Sequence, residues 1–215
     1  GMGSRLKKLT QNKPKCMVEV SGTTLIERAL RQLDKLKLNR IVIVTGYSCE
    51  TLINFIEGFD INTPIVFVNN EIYDKTNNIY SLYLAKDYLE SDDTLLLESD
   101  LIFENSILQQ LVNDKRESLA LVDKYESWMD GTCLIVGEND EIESFVPGRK
   151  FDFTNSNNYY KTVNIYKFSK DFSRRYYVPF LEAYSKALGN NEYYEEVLRI
   201  ITILDNPIIK AKKLN

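Results

Sequence analysis

Apolar residues recur along this chain in two rhythms, one near 3.6 residues and one in unbroken runs. Over 23–37, Leu25, Ile26, Ala29, Leu30, Leu33 and Leu36 fall on one helical face, with Thr23 or Thr24 as N-cap and Glu27 placed for a capping box. The run within 40–45 is continuously apolar, as in a strand buried on both faces. The same alternation continues with a helix over 50–59 and a strand over 64–68. A helix over 77–89 follows, carried by Ile79, Leu82, Tyr83, Lys86 and Leu89. A strand over 94–97, a short helix over 104–113 and a strand over 118–122 complete this half. Strands and helices alternating at this pitch predict a mostly parallel sheet flanked by helices, a Rossmann-like α/β fold.

After residue 123 the rhythm changes. Segments 132–136 and 141–146 read as a hairpin turning at Glu138-Asn139-Asp140, a small antiparallel element. A longer strand over 159–168, helices near 170–187 and 191–204, and a last strand over 207–212 follow. No repeat or long linker interrupts the chain, so one domain is expected over 1–215, with a nucleotide-binding half at 1–123 and an acceptor-binding half at 124–215. In such a sheet, ligands sit beyond the carboxyl ends of the strands.

Composition narrows the chemistry. The 215 residues are 44% hydrophobic and 27% charged, ordinary for a globular chain, and no apolar run approaches the roughly 20 residues of a membrane helix. A net charge of −4 argues against a nucleic-acid surface. Cys16, Cys49 and Cys133 are widely spaced without a C-x-x-C pair, which points to a reducing, cytoplasmic setting. The chain has no histidine, which excludes Ser–His and Cys–His nucleophiles and His-ligated metals. What is left is carboxylates, Lys, Arg, Tyr and a borrowed ion, a set suited to phosphoryl or nucleotidyl transfer.

The densest chemistry lies in the first 22 residues. Gly1 and Gly3 let the backbone bring N–H groups against an anion, Arg5 offers a planar fork for phosphate oxygens, and Lys15 a point charge after Pro14. Arg5, Lys7, Lys8, Lys13 and Lys15 meet no acid before Glu19, an inversion of the chain's overall charge. A merely solvated basic terminus is the bland alternative. The spacing is neither a Walker A loop nor G-x-G-x-x-G.

This stretch resembles the signature of the nucleotidyltransferases (pyrophosphorylases), G-x-G-[ST]-R-x-x-x-x-T-x-x-x-P-K followed by V-x-G-x-x-L-I, here ending in Val20, Gly22, Leu25 and Ile26. The resemblance implies a glycine-rich loop of Gly1, Gly3 and Ser4 around the nucleotide, Arg5 on its outer phosphates and Lys15 on the transferred α-phosphate. It also implies a buried strand leading into the loop. The sequence opens at the loop itself, so that first strand is expected to be absent, as is an acidic segment with a helix after the last strand.

Asp100 ends the apolar 94–97 run, where a strand hands over to a loop; an ordinary turn or N-cap aspartate would look the same. The resemblance makes it the catalytic aspartate that binds Mg²⁺. In Asn191-Glu-Tyr-Tyr194-Glu195-Glu196, the Y-Y-E core resembles the Y-W-D segment of phosphocholine cytidylyltransferases. It implies Glu195 as the second metal ligand, with Glu196 as fallback and a solvated acidic helix start as the plain alternative. Asn77-Asn78-Ile-Tyr-Ser81-Leu-Tyr resembles the N-N-x-Y-S-L-Y run of the same group, which implies Asn78 and Ser81 at the cytosine and ribose.

For the acceptor, Trp128 and Tyr166 offer aromatic faces to an ammonium group, Asp130 a carboxylate and Lys161 a cation for phosphonate or phosphate. Tyr194 adjoins this set, and core packing is the plain alternative for the strand tyrosines. The K-T-V-N-I-Y-K-F-S run with the Y-Y-E element most resembles cytidylyltransferases acting on 2-aminoethylphosphonate, then their phosphocholine relatives. The resemblance implies CTP and a small amine-bearing phosphonate or phosphate as partners, Mg²⁺ as cofactor, no nucleic acid or membrane partner, and room for a homodimer. A sugar-1-phosphate nucleotidyltransferase and an inactive nucleotide-binding relative remain alternatives.

Overall fold

The computed structural model describes residues 9–10, 12–204 and 209–214. After a 3₁₀ turn at Lys15–Met17 the chain makes a short hairpin of β1 (Glu19–Val20) and β2 (Thr23–Thr24), turning through positive φ at Ser21 (53°) and Gly22 (76°). Thr24 caps α1 (Leu25–Asp34), its hydroxyl accepting from the Glu27 N–H at 3.3 Å. β3 (Ile41–Thr45), α2 (Cys49–Glu57) and β4 (Ile65–Asn69) follow, and β3 pairs with β4 in parallel from Ile41↔Ile65 to Thr45↔Asn69. Cys16, Ile26, Leu30, Ile41, Leu52 and Ile56 form the core of this layer.

The expected helix over 77–89 is two: α3 (Asn78–Leu84) and α4 (Lys86–Ser91), separated at Ala85, whose φ of −96° and ψ of 9° leave the helical region. β5 (Thr94–Leu97), α5 (Asn105–Asn113) and β6 (Leu119–Lys124) lead into the hairpin of β7 (Cys133–Val136) and β8 (Ile142–Val146). That hairpin turns at Glu138–Asp140. Next come β9 (Tyr159–Phe168) and α6 (Lys170–Phe172), which runs through a π turn at Ser173–Tyr177 into α7 (Val178–Leu188). α8 (Glu195–Ile201) and β10 (Lys210–Lys213) close the described chain.

β9 organises the larger sheet. One of its edges carries β6; the other is shared by β7 near its start and β5 near its end, all three antiparallel to it. β10 adds in parallel to β6, and β8 pairs antiparallel with β7. β5, β6, β7 and β10 therefore share one direction, and β8 and β9 oppose it: the sheet is mixed. Among the described residues β3 pairs only with β4, and β5 only with β9. The continuous sheet that the alternation suggests is thus in two pieces, and the residues of β3 and β5 line one cavity of about 1590 Å³. A large apolar cluster draws Ile79, Leu82, Ala120 and Val122 from the first half together with Leu134, Tyr166, Phe168, Tyr177 and Val197 from the second. Burial of that size is the main force holding these elements together.

Candidate active site

The site assembles where β5 ends. Strand geometry carries Thr94 to Leu97 through the sheet, and the turn at Glu98-Ser99-Asp100 releases three polar side chains at its carboxyl end. Pro14, held at φ −61°, sets the 3₁₀ turn that presents Lys15. The Lys15 ammonium pairs with Asp100 Oδ2 across 85 positions of sequence. Cys16 is buried beside the same turn, within reach of Ser99 and Asp100, and its thiol is pushed up chiefly by burial. Gly1, Gly3, Ser4 and Arg5 lie outside the described residues.

The late acidic segment is brought to this point by a knit of hydrogen bonds with the start of α3. Asn77 N–H donates to Asn190 O at 2.8 Å, Ile79 N–H to Glu192 O at 3.3 Å, and Tyr194 N–H to Asn78 Oδ1 at 2.9 Å. Asn77 also caps α3 through its own side chain. The Asn78 amide oxygen thus anchors the second half of the chain, and Asn78 and Ser81 both line the cavity.

Glu195 and Glu196 are both buried, but only one is committed within its helix. Glu196 Oε2 accepts from Arg199 Nε at 2.9 Å, whereas Glu195 Oε2 is buried with no hydrogen-bond partner. Burial, reinforced by nearby Glu98, raises the Glu195 carboxyl to about 7, against the backbone hydrogen bond it accepts. Glu98 is raised for the same reasons, burial first and then Asp100, with a hydrogen bond from Asn164 working against them. Lys161 faces these acids from β9. Burial lowers it, while Cys133, Glu195, Glu98 and Asp130 support its charge.

Lys15, Asn78, Ser81, Asp100, Asp130, Lys161, Tyr194 and Glu195 all border the cavity. Asp130 is exposed, its Oδ1 accepting from Gly131 N–H at 2.8 Å. Gly131, at φ 103°, passes close to Lys161: a Cβ there would lie 3.5 Å from the lysine Nζ. Two of the aromatic residues expected at the acceptor stand apart. Trp128 is 79% exposed and is not part of the cavity wall. Tyr166 is fully buried, edge-on to Tyr194 at 5.8 Å and hydrogen-bonded to Thr162 at 2.9 Å, so its ring faces the core. Sequence reasoning passed over Glu98 and Asn164. The available signal was an asparagine, a poor strand former, inside an otherwise β-forming run.

The donor types fit a hard divalent cation: the Asp100 carboxylate and the unpartnered buried oxygen of Glu195 both offer hard oxygen donors. Among the described residues no cluster of three or more His, Cys, Asp or Glu side chains forms an all-protein cage. Mg²⁺ asks for only one or two carboxylates when phosphate and water complete its shell.

Comparison with known proteins adds to this geometry. The model of the family described as MobA-like NTP transferase domain matches residues 1–157. The CTP:phosphoglutamine cytidylyltransferase of Campylobacter jejuni is 35% identical over 133 residues, 60% of this chain and 51% of that protein. The CMP-5'-(3-aminopropyl)phosphonate synthase of Streptomyces rubellomurinus is 27% identical over 199 residues, 91% of this chain and 31% of that protein. The chain thus spans between about a third and a half of the length of these relatives. In fold it is similar to the CTP:phosphocholine cytidylyltransferase of Streptococcus pneumoniae, with a TM-score of 0.76 at 23% identity, covering 100% of this chain and 86% of that one.

Proposed function

The chain belongs to the MobA-like NTP transferase family, and from that premise we propose that it is a cytidylyltransferase, joining CMP from CTP to a small amine-bearing phosphonate or phosphate and releasing pyrophosphate. 2-Aminoethylphosphonate is the favoured acceptor and phosphocholine the next. The observation that carries this reading is the pairing of Lys15 with Asp100 in the wall of the cavity that Glu195 also borders. The curated relatives named for cytidylyl transfer to phosphorylated or phosphonate acceptors support the reaction class.

The acceptor brings its own nucleophile. An oxygen of its phosphonate or phosphate attacks the α-phosphorus, a new P–O bond forms, and the bond to pyrophosphate breaks. With a second pKa near 6 for a phosphate monoester, that oxygen is largely ionised at neutral pH and needs no general base. This agrees with a chain that has no histidine. Lys15, turned from Asp100 toward the α-phosphate, stabilises the charge that grows there, and Arg5 holds the departing phosphates. Asp100 and Glu195 would hold Mg²⁺, which supplies positive charge to the phosphate oxygens. Lys161 receives the acceptor's anionic end and Asp130 its ammonium group. Asn78 and Ser81 face the nucleoside.

The test is pyrophosphate release with CTP and Mg²⁺ against a panel of 2-aminoethylphosphonate, phosphocholine and sugar 1-phosphates. Release with the amine-bearing acceptors is expected. Release only with sugar 1-phosphates, or with none of the panel, overturns the reading.

A further inference from the structure

The helical stretch after β9 is continuous from Lys170 to Leu188 but not uniform. Pro179 has no N–H to donate to the carbonyl four residues back, at Arg175, and its ring crowds that carbonyl. The helix widens just before it, into the π turn at Ser173–Tyr177. Tyr177, at the end of that turn, is fully buried, its ring centre 5.0 Å from that of Phe168 and 6.2 Å from that of Phe172.

A phenylalanine would fill that space without burying a hydroxyl, and a hydroxyl kept from water is costly unless it finds a partner. The Tyr177 hydroxyl donates to the Tyr194 carbonyl at 3.3 Å. That carbonyl is where α8 begins: it also accepts from Val197 N–H at 3.2 Å, closing the first turn. No side chain caps the start of α8. The start is held instead at Tyr194, whose N–H donates to Asn78 Oδ1 at 2.9 Å and whose ring packs edge-on against Tyr166. The next residue is Glu195, with its buried Oε2 unpartnered. Where that carboxylate stands is set by where α8 starts.

We propose that Tyr177 is a positioning residue: from the π turn, its hydroxyl fixes the first turn of α8 and so places the Glu195 carboxylate at the cavity. The inference rests on the cytidylyltransferase reading, in which Glu195 is one of two acids for Mg²⁺. Asn78 holds the N–H side of Tyr194 and Tyr177 the carbonyl side, so removal of the hydroxyl frees the end from which Glu195 continues.

Tyr177→Phe removes one oxygen and leaves the ring packing. Midpoints in Mg²⁺ are measured at saturating CTP, one for the rise in melting temperature without acceptor and one for the initial rate with 2-aminoethylphosphonate. For Y177F both rise by about five- to tenfold, the effect of one buried hydrogen bond, while KM for CTP at saturating Mg²⁺ stays within about threefold. In an E195Q background the melting midpoint no longer responds to Y177F, because the residue through which it acts is gone. A tyrosine that merely stabilises the helix lowers the melting temperature and leaves both midpoints where they were. Tyr177→Met, also without a hydroxyl, shows the same shift and supplies a second variant should Y177F not fold. Midpoints within about twofold of wild type, or a Y177F shift that persists in E195Q, overturn the inference alone. A wild type that is inert and unmoved by Mg²⁺ and CTP, or an E195Q protein that takes Mg²⁺ like wild type, overturns the reading beneath it as well.

Discussion

Glu195 is kept from water by the packing that delivers it to the cavity, and that arrangement has a cost visible in the ligand-free protein. Its carboxyl titrates at about 7 rather than 4.5, so the folded state holds its proton longer than the unfolded chain does. The sign follows: this contribution favours the folded state least at high pH, stability falling as pH rises from about 4.5 through about 7 and levelling above. The interval amounts to roughly 3 kcal/mol as an upper bound. Glu195→Gln therefore melts higher than wild type at pH 8, with the gap closing toward pH 5, while CMP transfer is lost; equal melting curves across that range would count against the burial of this charge. What the sequence made legible at this scale is placement, not role. That Lys15 and Asp100 belong together is implied by the family resemblance, and the structure pairs them. Of Glu195 and its fallback Glu196, the sequence does not show that Arg199 holds the latter. For Trp128 and Tyr166, aromatic type does not say which face of a strand or loop meets the cavity.

Elements were legible where the apolar rhythm is long and local. The helix begun at Leu25, the parallel pair β3 and β4 and the hairpin β7–β8 all follow from pattern. The placement of β9 between β6 on one edge and β5 and β7 on the other was not, because pairing partners far apart in sequence, as Thr94 and Phe168 are, leave no periodicity behind. Nor was the shortening of the last helix to Glu195–Ile201, since residues 190–194 are spent on hydrogen bonds to the start of α3. The late strand β10 depends on such long-range ties. Arg116 bonds Asp114 at 2.8 Å, Asp140 at 3.1 Å and the Ala211 carbonyl at 3.1 Å, joining the end of α5, the β7–β8 turn and β10. Arg116 holds Asp114 well below the usual carboxylate range, so this stabilisation is complete above about pH 4 and fades as acid protonates Asp114. Arg116→Ala leaves that carboxylate only Lys212 at 3.4 Å and the backbone N–H of position 116, and cuts the ties to Asp140 and Ala211; it costs about 2 kcal/mol, a drop of about 5 °C in melting temperature at pH 7 that narrows only below pH 4. A variant that melts with wild type at pH 7 would show that β10 is secured by packing alone.

At the scale of the molecule, two acids and a lysine separated by up to 180 positions converge on one cavity, Lys15 from the opening turn, Asp100 from the end of β5 and Glu195 from the start of α8. The core that enforces this mixes residues from before and after position 123, among them Ile79, Tyr166 and Val197. Everything proposed for catalysis depends on Asp100 standing in that convergence as a charged oxygen ligand and not as a turn residue. The most direct measurement is the initial rate of pyrophosphate release from CTP and 2-aminoethylphosphonate with Mg²⁺, compared between wild type and Asp100→Ala at matched melting temperature. Loss of at least about 1000-fold, as for a group stabilising charge in the transition state, is expected of the variant. A variant that turns over at close to the wild-type rate would contradict the assignment.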